Sequence, residues 1–355
     1  MKHVMIAAGG TGGHIYPALA LADLLKKEGA EVSFTGSASR MEAQLIPAAG
    51  YAYTPIEIPI TKGGLISKAR YGISLLKAIF TCRKLLKEQK PDLCVGFGNY
   101  ISVPLILAAH QLGIKTMISE QNSFAGKANV FLGRYADAVE LAYENSAKDF
   151  DAAKVRVLGN PQATAAISKK PDPDLPASYG LSKDKPIILV MTGSLGSESV
   201  SKVIDEACDE LSQVQVLIAA GKKNPYHFMT KNPDVHVHEY VDGAGMLAHC
   251  DLAVCRAGAT TLAEISAIGV PSILIPSPFV PNNHQYFNAR ELSDAGAAVL
   301  IEEKDLDAKK LAETINGLFA DETKLKDMRE AAKAIGKPHA GEDMIAWMKE
   351  LCNEQ

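Results

Sequence analysis

The chain has 355 residues, more than one hydrophobic core usually serves, so two domains are expected. Hydrophobic residues make up 47% and charged residues 22%, as in ordinary soluble globular proteins, and a net charge of −4 argues against general affinity for nucleic acid. The six cysteines, at 82, 94, 208, 250, 255 and 352, form no CxxC pair and lie among apolar residues, which fits a reducing compartment better than a disulfide framework. The first strand begins so early that no signal peptide is expected, and no apolar run approaches the roughly 18 residues of a membrane-spanning helix. The expected location is cytoplasmic, at most peripheral on a membrane.

In chain order, the apolar run Val4-Met5-Ile6-Ala7 leads into Ala8-Gly9-Gly10-Thr11-Gly12-Gly13-His14 and then into the helical pattern Pro17-Ala18-Leu19-Ala20-Leu21-Ala22-Asp23-Leu24-Leu25. Glycines without β-carbons before a helix start let backbone amides approach a ligand closely, so this loop is expected to bind an anion. His14, at the junction of loop and helix, adds a titratable group near neutrality. A dinucleotide fingerprint fails here. Counting Gly10 and Gly12 as its first two glycines puts Ile15 at the sixth position, and the next strand, Glu31-Val32-Ser33-Phe34-Thr35, ends in Gly36 rather than an acid. No Lys-Ser or Lys-Thr follows the glycines, which disfavours a P-loop.

Short β-like runs then alternate with longer helical ones, predicting parallel sheets with crossover helices. Strands are expected near 3–8, 31–35, 52–58, 92–96, 115–119, 137–141 and 155–158, then near 186–191, 214–219, 235–238, 252–255, 272–275 and 298–301. Pro186-Ile187-Ile188-Leu189-Val190-Met191 runs into Thr192-Gly193-Ser194-Leu195-Gly196-Ser197 and a helix, repeating the opening device. The predicted fold is α/β, with two Rossmann-like doubly wound domains facing a cleft, residues 1–160 and residues 161–339, the boundary lying in Gly159-Asn160-Pro161 or just after it because the stretch 169–176 is proline-rich and charged. The amphipathic stretch 340–355, with the only Trp, Trp347, is expected to pack back across the junction onto the first domain.

Several separated motifs resemble one family throughout the chain: AAGGTGGHIYPALALA at 7–22, GSASRMEAQLIPAAG at 36–50, GFGNYIS at 96–102, SEQNSFAGKAN at 119–129, GNP at 159–161, TGSLGS at 192–197, CRAGATTLAE at 255–264 and HQYFNA at 284–289. It is the MurG family of two-domain, GT-B-type peptidoglycan N-acetylglucosaminyltransferases, glycosyltransferase family 28. The resemblance implies inverting transfer of N-acetylglucosamine from UDP-GlcNAc to the C4 hydroxyl of the N-acetylmuramoyl unit of lipid I, giving lipid II, with no metal and no resident cofactor.

On the acceptor side it implies His14 as general base with Glu120 and Asn122, and Gly10 and Tyr100 against the acceptor. For the donor it implies Thr11, Gly12, Gly13, Asn122, Ser194, Val241, Glu264, Gln285 and Asn288, with Glu264 on the ribose hydroxyls, the Val241 backbone on uracil, and the Gln285 and Asn288 amides on the sugar. The chain departs from the family pattern at Leu195 and at His284, where Gln is usual, at Asn99, where Gly is usual, and at Ala163, where an Arg usually follows Asn-Pro. Losing that Arg weakens a phosphate contact or shifts it to another cation.

The Asp172-Pro173-Asp174 pair is like a metal-binding DxD but lies away from any strand end, and His236 and His238 lack a third ligand. Residues 62–90 carry Lys62, Lys68, Arg70, Lys77, Arg83, Lys84, Lys87 and Lys90 against Glu88, among Leu65, Ile66, Ile73, Leu75, Leu76, Ile79, Phe80, Leu85 and Leu86. That pattern is expected of a surface on an anionic membrane, the inner face of the cell membrane for this family, against a basic helix whose apolar face is simply core. The rival functions are another GT-B glycolipid glycosyltransferase, a UDP-sugar epimerase, or a non-catalytic nucleotide-sugar sensor.

Overall fold

A computed structural model of the chain describes residues 1–57, 65–193 and 196–353, with the side chains of 65–70 outside the description. The chain forms two compact units, Met1–Thr164 with His339–Gln355, and Ala165–Pro338.

In the first unit the strands are β1 (His3–Ala7), β2 (Glu31–Ser37), β3 (Ala52–Ile56), β4 (Leu93–Gly96), β5 (Lys115–Glu120), β6 (Ala138–Leu141) and β7 (Val155–Val157). They form one seven-stranded sheet in the order β3-β2-β1-β4-β5-β6-β7, each neighbouring pair parallel. The connecting helices are α1 (Gly12–Lys27), α2 (Glu42–Ala48), α3 (Leu65–Gln89), α4 (Ser102–Gln111), α5 (Lys127–Leu132) and α6 (Pro161–Ser168). Parallel strands covered by helices on both faces are largely apolar, and β1 is buried at every position.

On one face Ile15, Ala18, Leu21, Ala22 and Leu25, at helical spacing along α1, pack with Val4, Ile6 and Phe34. On the other, Ala78, Ile79, Cys82, Leu85 and Leu86 of α3 pack with Met5, Ala7 and Cys94. Strand order reverses at β1, between β2 and β4, so the loops after β1 and β4 diverge there and open a crevice at their carboxyl ends.

In the second unit, α7 (Leu175–Ser178) precedes β8 (Ile187–Met191), α8 (Glu198–Cys208), β9 (Gln215–Ala219), β10 (Val235–His238), α9 (Gly243–Met246), β11 (Leu252–Cys255), α10 (Ala259–Ile268), β12 (Ser272–Leu274), α11 (His284–Asp294), β13 (Ala298–Leu300), α12 (Ala308–Phe319) and α13 (Glu322–Ile335). The six-stranded sheet, in the order β10-β9-β8-β11-β12-β13, reverses at β8, directly before the second glycine loop.

The last helix, α14 (Ala340–Asn353), sits on the first unit, where Met344, Ile345, Trp347, Met348 and Leu351 join the α1 core. Arg156 lies 4.7 Å over the Trp347 ring and pairs with Glu350 at 2.8 Å. Each strand expected from alternation occurs, with ends moved by no more than two residues. Among the described residues no helix is long and apolar enough to cross a membrane.

Candidate active site

The first glycine loop differs from the expectation in where its helix starts. Helix α1 begins at Gly12, so Gly12, Gly13 and His14 form its first turn, and Thr11 takes the N-cap position in extended backbone. Pro17 lies inside the helix and has no N–H, so the carbonyl of Gly13 receives no bond from it. Thr11 Oγ1 lies 3.1 Å from His14 Nδ1. The tautomer in which Nδ1–H donates to that hydroxyl puts the basic lone pair on Nε2. That atom lies against Gly98, whose backbone has φ +84 and where an added β-carbon would come within 3.4 Å of it. Gly98 therefore gives the imidazole its space.

The amide of Gly10 is already engaged. It donates to Glu42 Oε2 at 3.0 Å, and the amide of Ser37 donates to Oε1 at 3.2 Å. Glu42 is fully buried, and a β-carbon on Gly9 would lie 2.5 Å from its carboxylate. Part of this loop thus addresses an internal anion, not the external one expected from its glycines. Asn99, where the resemblance leads one to expect Gly, takes φ +66; its Oδ1 accepts from the Tyr100 amide at 2.6 Å, and asparagine is among the residues that tolerate this conformation. Tyr100 lies 5.8 Å from the Arg40 guanidinium, and burial pushes its phenol up from the usual range.

Glu120 ends β5 and is buried. Its carboxylate accepts from the Asn122 amide at 3.1 Å, the Asn122 side chain at 3.1 Å, the Gly126 amide at 2.8 Å and Asn129 Nδ2 at 2.9 Å. These donors span its lone pairs, so Glu120 fixes the 121–129 loop and the orientation of Asn122. The Asn129 amide also lies 3.2 Å from where a β-carbon on Gly98 would stand, which joins this loop to the His14 pocket.

In the second unit, Ser194 and Leu195 fall outside the described residues, but their flanks are defined. Gly193 and Gly196 adopt φ +95 and +71, and Ser197 is the N-cap of α8. Arg256, following β11, donates to Ser197 Oγ at 2.8 Å, to the Ile275 carbonyl at 3.1 Å and to Glu303 at 2.8 Å, and Ser199 also donates to Glu303 at 2.7 Å. One guanidinium thus ties together the ends of four strand-end loops. Glu264 is buried on α10, whose first turn follows Gly258. Burial pushes the Cys255 thiol up to about 12, and the charge of Glu264 adds to it. The Val241 carbonyl accepts from the Gly243 amide at 2.8 Å. Gln285 Oε1 accepts from the Ser277 amide at 2.9 Å, and Asn288, fully buried, donates to the Ala257 carbonyl at 3.3 Å at the start of the α10 loop.

The structure therefore brings Thr11, His14, Glu120 and Asn122 to one edge of the first sheet, and Glu264, Gln285 and Asn288 to one edge of the second. Sequence reading assigned no role to Glu42, Asn129 or Glu303, and none to Arg256 beyond its motif. The only signals were a buried acid in a helix start and an arginine just after a strand. Asp172 accepts from the Asp174 amide at 3.0 Å in a local turn, and the His238 ring packs at 5.1 Å on Tyr179. Among the described residues no group of three or more His, Cys, Asp or Glu could hold a metal ion.

The glycosyltransferase family 28 N-terminal domain model matches residues 4–140, and the C-terminal domain model matches residues 187–344. A protein of Exiguobacterium sp. named UDP-N-acetylglucosamine--N-acetylmuramyl-(pentapeptide) pyrophosphoryl-undecaprenol N-acetylglucosamine transferase is 37% identical over 360 residues, covering 98% of this chain and 99% of its own. The crystal structure of Acinetobacter baumannii MurG is similar with a TM-score of 0.80 and 28% identity, over 99% of this chain and 100% of that one. A UDP-GlcNAc 2-epimerase from Neisseria meningitidis, bound to UDP-GlcNAc, reaches a TM-score of 0.69 over 99% of this chain and 100% of its own, but at 14% identity it shares the fold alone.

Proposed function

The chain belongs to glycosyltransferase family 28, and from that membership we propose that it transfers N-acetylglucosamine from UDP-GlcNAc to the C4 hydroxyl of the N-acetylmuramoyl unit of lipid I, giving lipid II for peptidoglycan synthesis. The observation that carries the chemistry is the His14 imidazole, oriented by Thr11 and backed by Gly98 at the switch point of the first sheet. Neutral imidazole takes the proton of the attacking hydroxyl, the new bond forms at the anomeric carbon with inversion, and UDP leaves with the electron pair. Asn122, held by Glu120, orients sugar hydroxyls, with Gly10 and Tyr100 on the acceptor and Thr11, Gly12 and Gly13 towards the donor.

On the donor, Glu264 accepts from the ribose hydroxyls, the Val241 backbone reads uracil, and Ser194 with the α8 amides meets the diphosphate. Because Gln285 Oε1 already accepts from Ser277, its NH2 is the group it offers the sugar, and Asn288 supports that side from beneath. This chemistry calls for no resident metal or cofactor.

A lipid-borne acceptor asks for contact with a membrane. On α3, Ile73, Leu76 and Phe80 are 58%, 58% and 68% exposed at spacings of three and four residues, beside the exposed Lys77 and Lys84, while Ile79, Leu85 and Leu86 belong to the core. Lys62 and the side chains of Leu65, Ile66, Lys68 and Arg70 lie outside the described residues. This exposed apolar stripe with a basic flank fits peripheral attachment to the anionic inner face of the membrane.

The test supplies UDP-GlcNAc and lipid I in anionic vesicles and follows UDP release and lipid-linked disaccharide. Transfer is expected, with kcat falling about 10²–10⁴-fold in His14→Ala while donor affinity holds. Vesicle binding is expected to fall when Leu76 and Phe80 become Ser. Absence of transfer overturns the assignment, epimerised donor without acceptor establishes the epimerase reading, and donor binding alone establishes the sensor. Full turnover by His14→Ala removes His14 as the base.

A further inference from the structure

We propose that Glu140 is a positioning residue for transfer: through Ser119 it fixes the 121–129 loop, and with it the Glu120 carboxylate that orients Asn122. The proposal rests on the reaction assigned above. Packing alone does not explain an acid here. Glu140 is 1% exposed on β6, whose other residues are Ala138, Val139 and Leu141, and a parallel strand covered on both faces is largely apolar. A buried acid costs stability unless a cation or hydrogen bonds hold it. Among the described residues Glu140 has no ion pair, and Arg156, its register partner on β7, turns instead to Trp347 and Glu350 of α14.

What Glu140 does hold is Ser119, its register partner on β5. The Ser119 hydroxyl gives its only hydrogen to Glu140 Oε2 at 2.5 Å, which leaves its lone pairs to accept from Gln121 Nε2 at 2.9 Å. Glu140 thereby sets the direction of the Ser119 hydroxyl, and the hydroxyl sets which end of the Gln121 amide faces it. Gln121 Nε2 also donates to the Ser119 carbonyl at 3.0 Å. Asn129 Nδ2 donates to that carbonyl at 3.1 Å and to Glu120 Oε2 at 2.9 Å. Ser119, Gln121 and Asn129 are all fully buried.

The path runs from Glu140 to Ser119, from Ser119 to Gln121 and Asn129, and from Asn129 to Glu120, whose Oε1 accepts from Asn122. Its links lie in the interior, where an unmade hydrogen bond is costly and neighbouring bonds reinforce one another. Burial pushes the Glu140 carboxyl up to about 8, so a neutral amide of the same shape can replace it as the acceptor for Ser119. An apolar side chain of similar volume cannot.

The experiment compares Glu140→Leu, which keeps the apolar pattern, Glu140→Gln, which keeps the acceptor, and Ser119→Ala, which removes the link. Each is measured for kcat and KM with UDP-GlcNAc and lipid I in anionic vesicles, for UDP affinity by calorimetry, and for amide hydrogen exchange segment by segment. Glu140→Leu is expected to lower kcat about tenfold or more with UDP affinity unchanged, and to speed exchange in 121–129 ahead of the rest of the first unit. Ser119→Ala is expected to do the same, and carries the comparison should Glu140→Leu not fold; the double variant is expected to add little to either. Glu140→Gln is expected to restore both kcat and slow exchange. Parent kcat and parent exchange in Glu140→Leu and Ser119→Ala overturn the proposal. So does faster exchange spread evenly over the first unit, which marks general destabilisation, and so does a Glu140→Gln variant as impaired as Glu140→Leu. Absence of transfer by the unaltered chain overturns the assigned reaction instead, and the exchange measurement still decides whether Glu140 holds the loop.

Discussion

Both units open with a strand, a glycine turn and a helix, yet the two turns are supported by opposite charges. Behind the first lies the buried carboxylate of Glu42, which takes the amides of Gly10 and Ser37. Behind the second lies the Arg256 guanidinium, which donates to Ser197 and pairs with Glu303. Glycines permit close approach in both places, but the charge behind them selects what approaches. A loop already giving an amide to a carboxylate, with an imidazole on its first helical turn, suits an alcohol that must lose a proton. A loop whose helix start is held by a guanidinium suits a leaving diphosphate.

The largest expected effect breaks the first support. Glu42→Ala leaves the amides of Gly10 and Ser37 without their acceptor and a void where a fully buried carboxylate stood, and about 3 kcal/mol of stability should be lost, read as a lower urea midpoint. Transfer should fall with it, because Gly10 and Thr11 lead directly into the turn that carries His14. A variant as stable and active as the parent would remove the acidic support from the account. A smaller effect is expected from Glu303→Ala, which strips Arg256 of its carboxylate but leaves Ser197 and the Ile275 carbonyl. About 2 kcal/mol is expected for this nearly buried pair, with UDP affinity lowered and acceptor affinity unchanged. Loss of acceptor affinity alone would reverse the roles given to the two loops.

The strands were legible because a doubly covered parallel strand is apolar at nearly every position, and the turns because glycines punctuate them. His14 and Glu264 stood out as candidates because they stand within motifs. The supports were not. Glu42 is 32 residues from Gly10, and Glu303 is 47 residues from Arg256, so no periodicity links them. Glu42 looks like any acid at a helix start, a position the helix dipole favours anyway. Glu120 was legible as a strand-end acid, but its four donors come from a loop whose path is set only by folding. Asn99 looked like a departure until its positive φ showed why an asparagine can replace a glycine there.

The effect that depends on pH, and the one that sharpens the acidic character of the first unit, concerns Glu140. It pairs in register with Ser119, next to Glu120, and receives the Ser119 hydroxyl. Burial pushes its carboxyl up to about 8; the Ser119 hydrogen bond opposes this and the charge of Glu120 adds to it. The folded chain therefore holds this proton at pH values where the unfolded chain, with a carboxyl near 4.5, has released it. More protons bound in the folded state means that this contribution is complete below about pH 4.5 and is lost as pH rises towards 8. Glu140→Gln carries no such proton. Its Tm should match the parent near pH 5 and exceed it increasingly towards pH 8, since only the parent must then either ionise a buried group beside Glu120 or hold its proton against the solvent. Parallel Tm profiles across that range would mean that Glu140 is ionised throughout, and that the first sheet carries two adjacent buried charges behind the 121–129 loop instead of one.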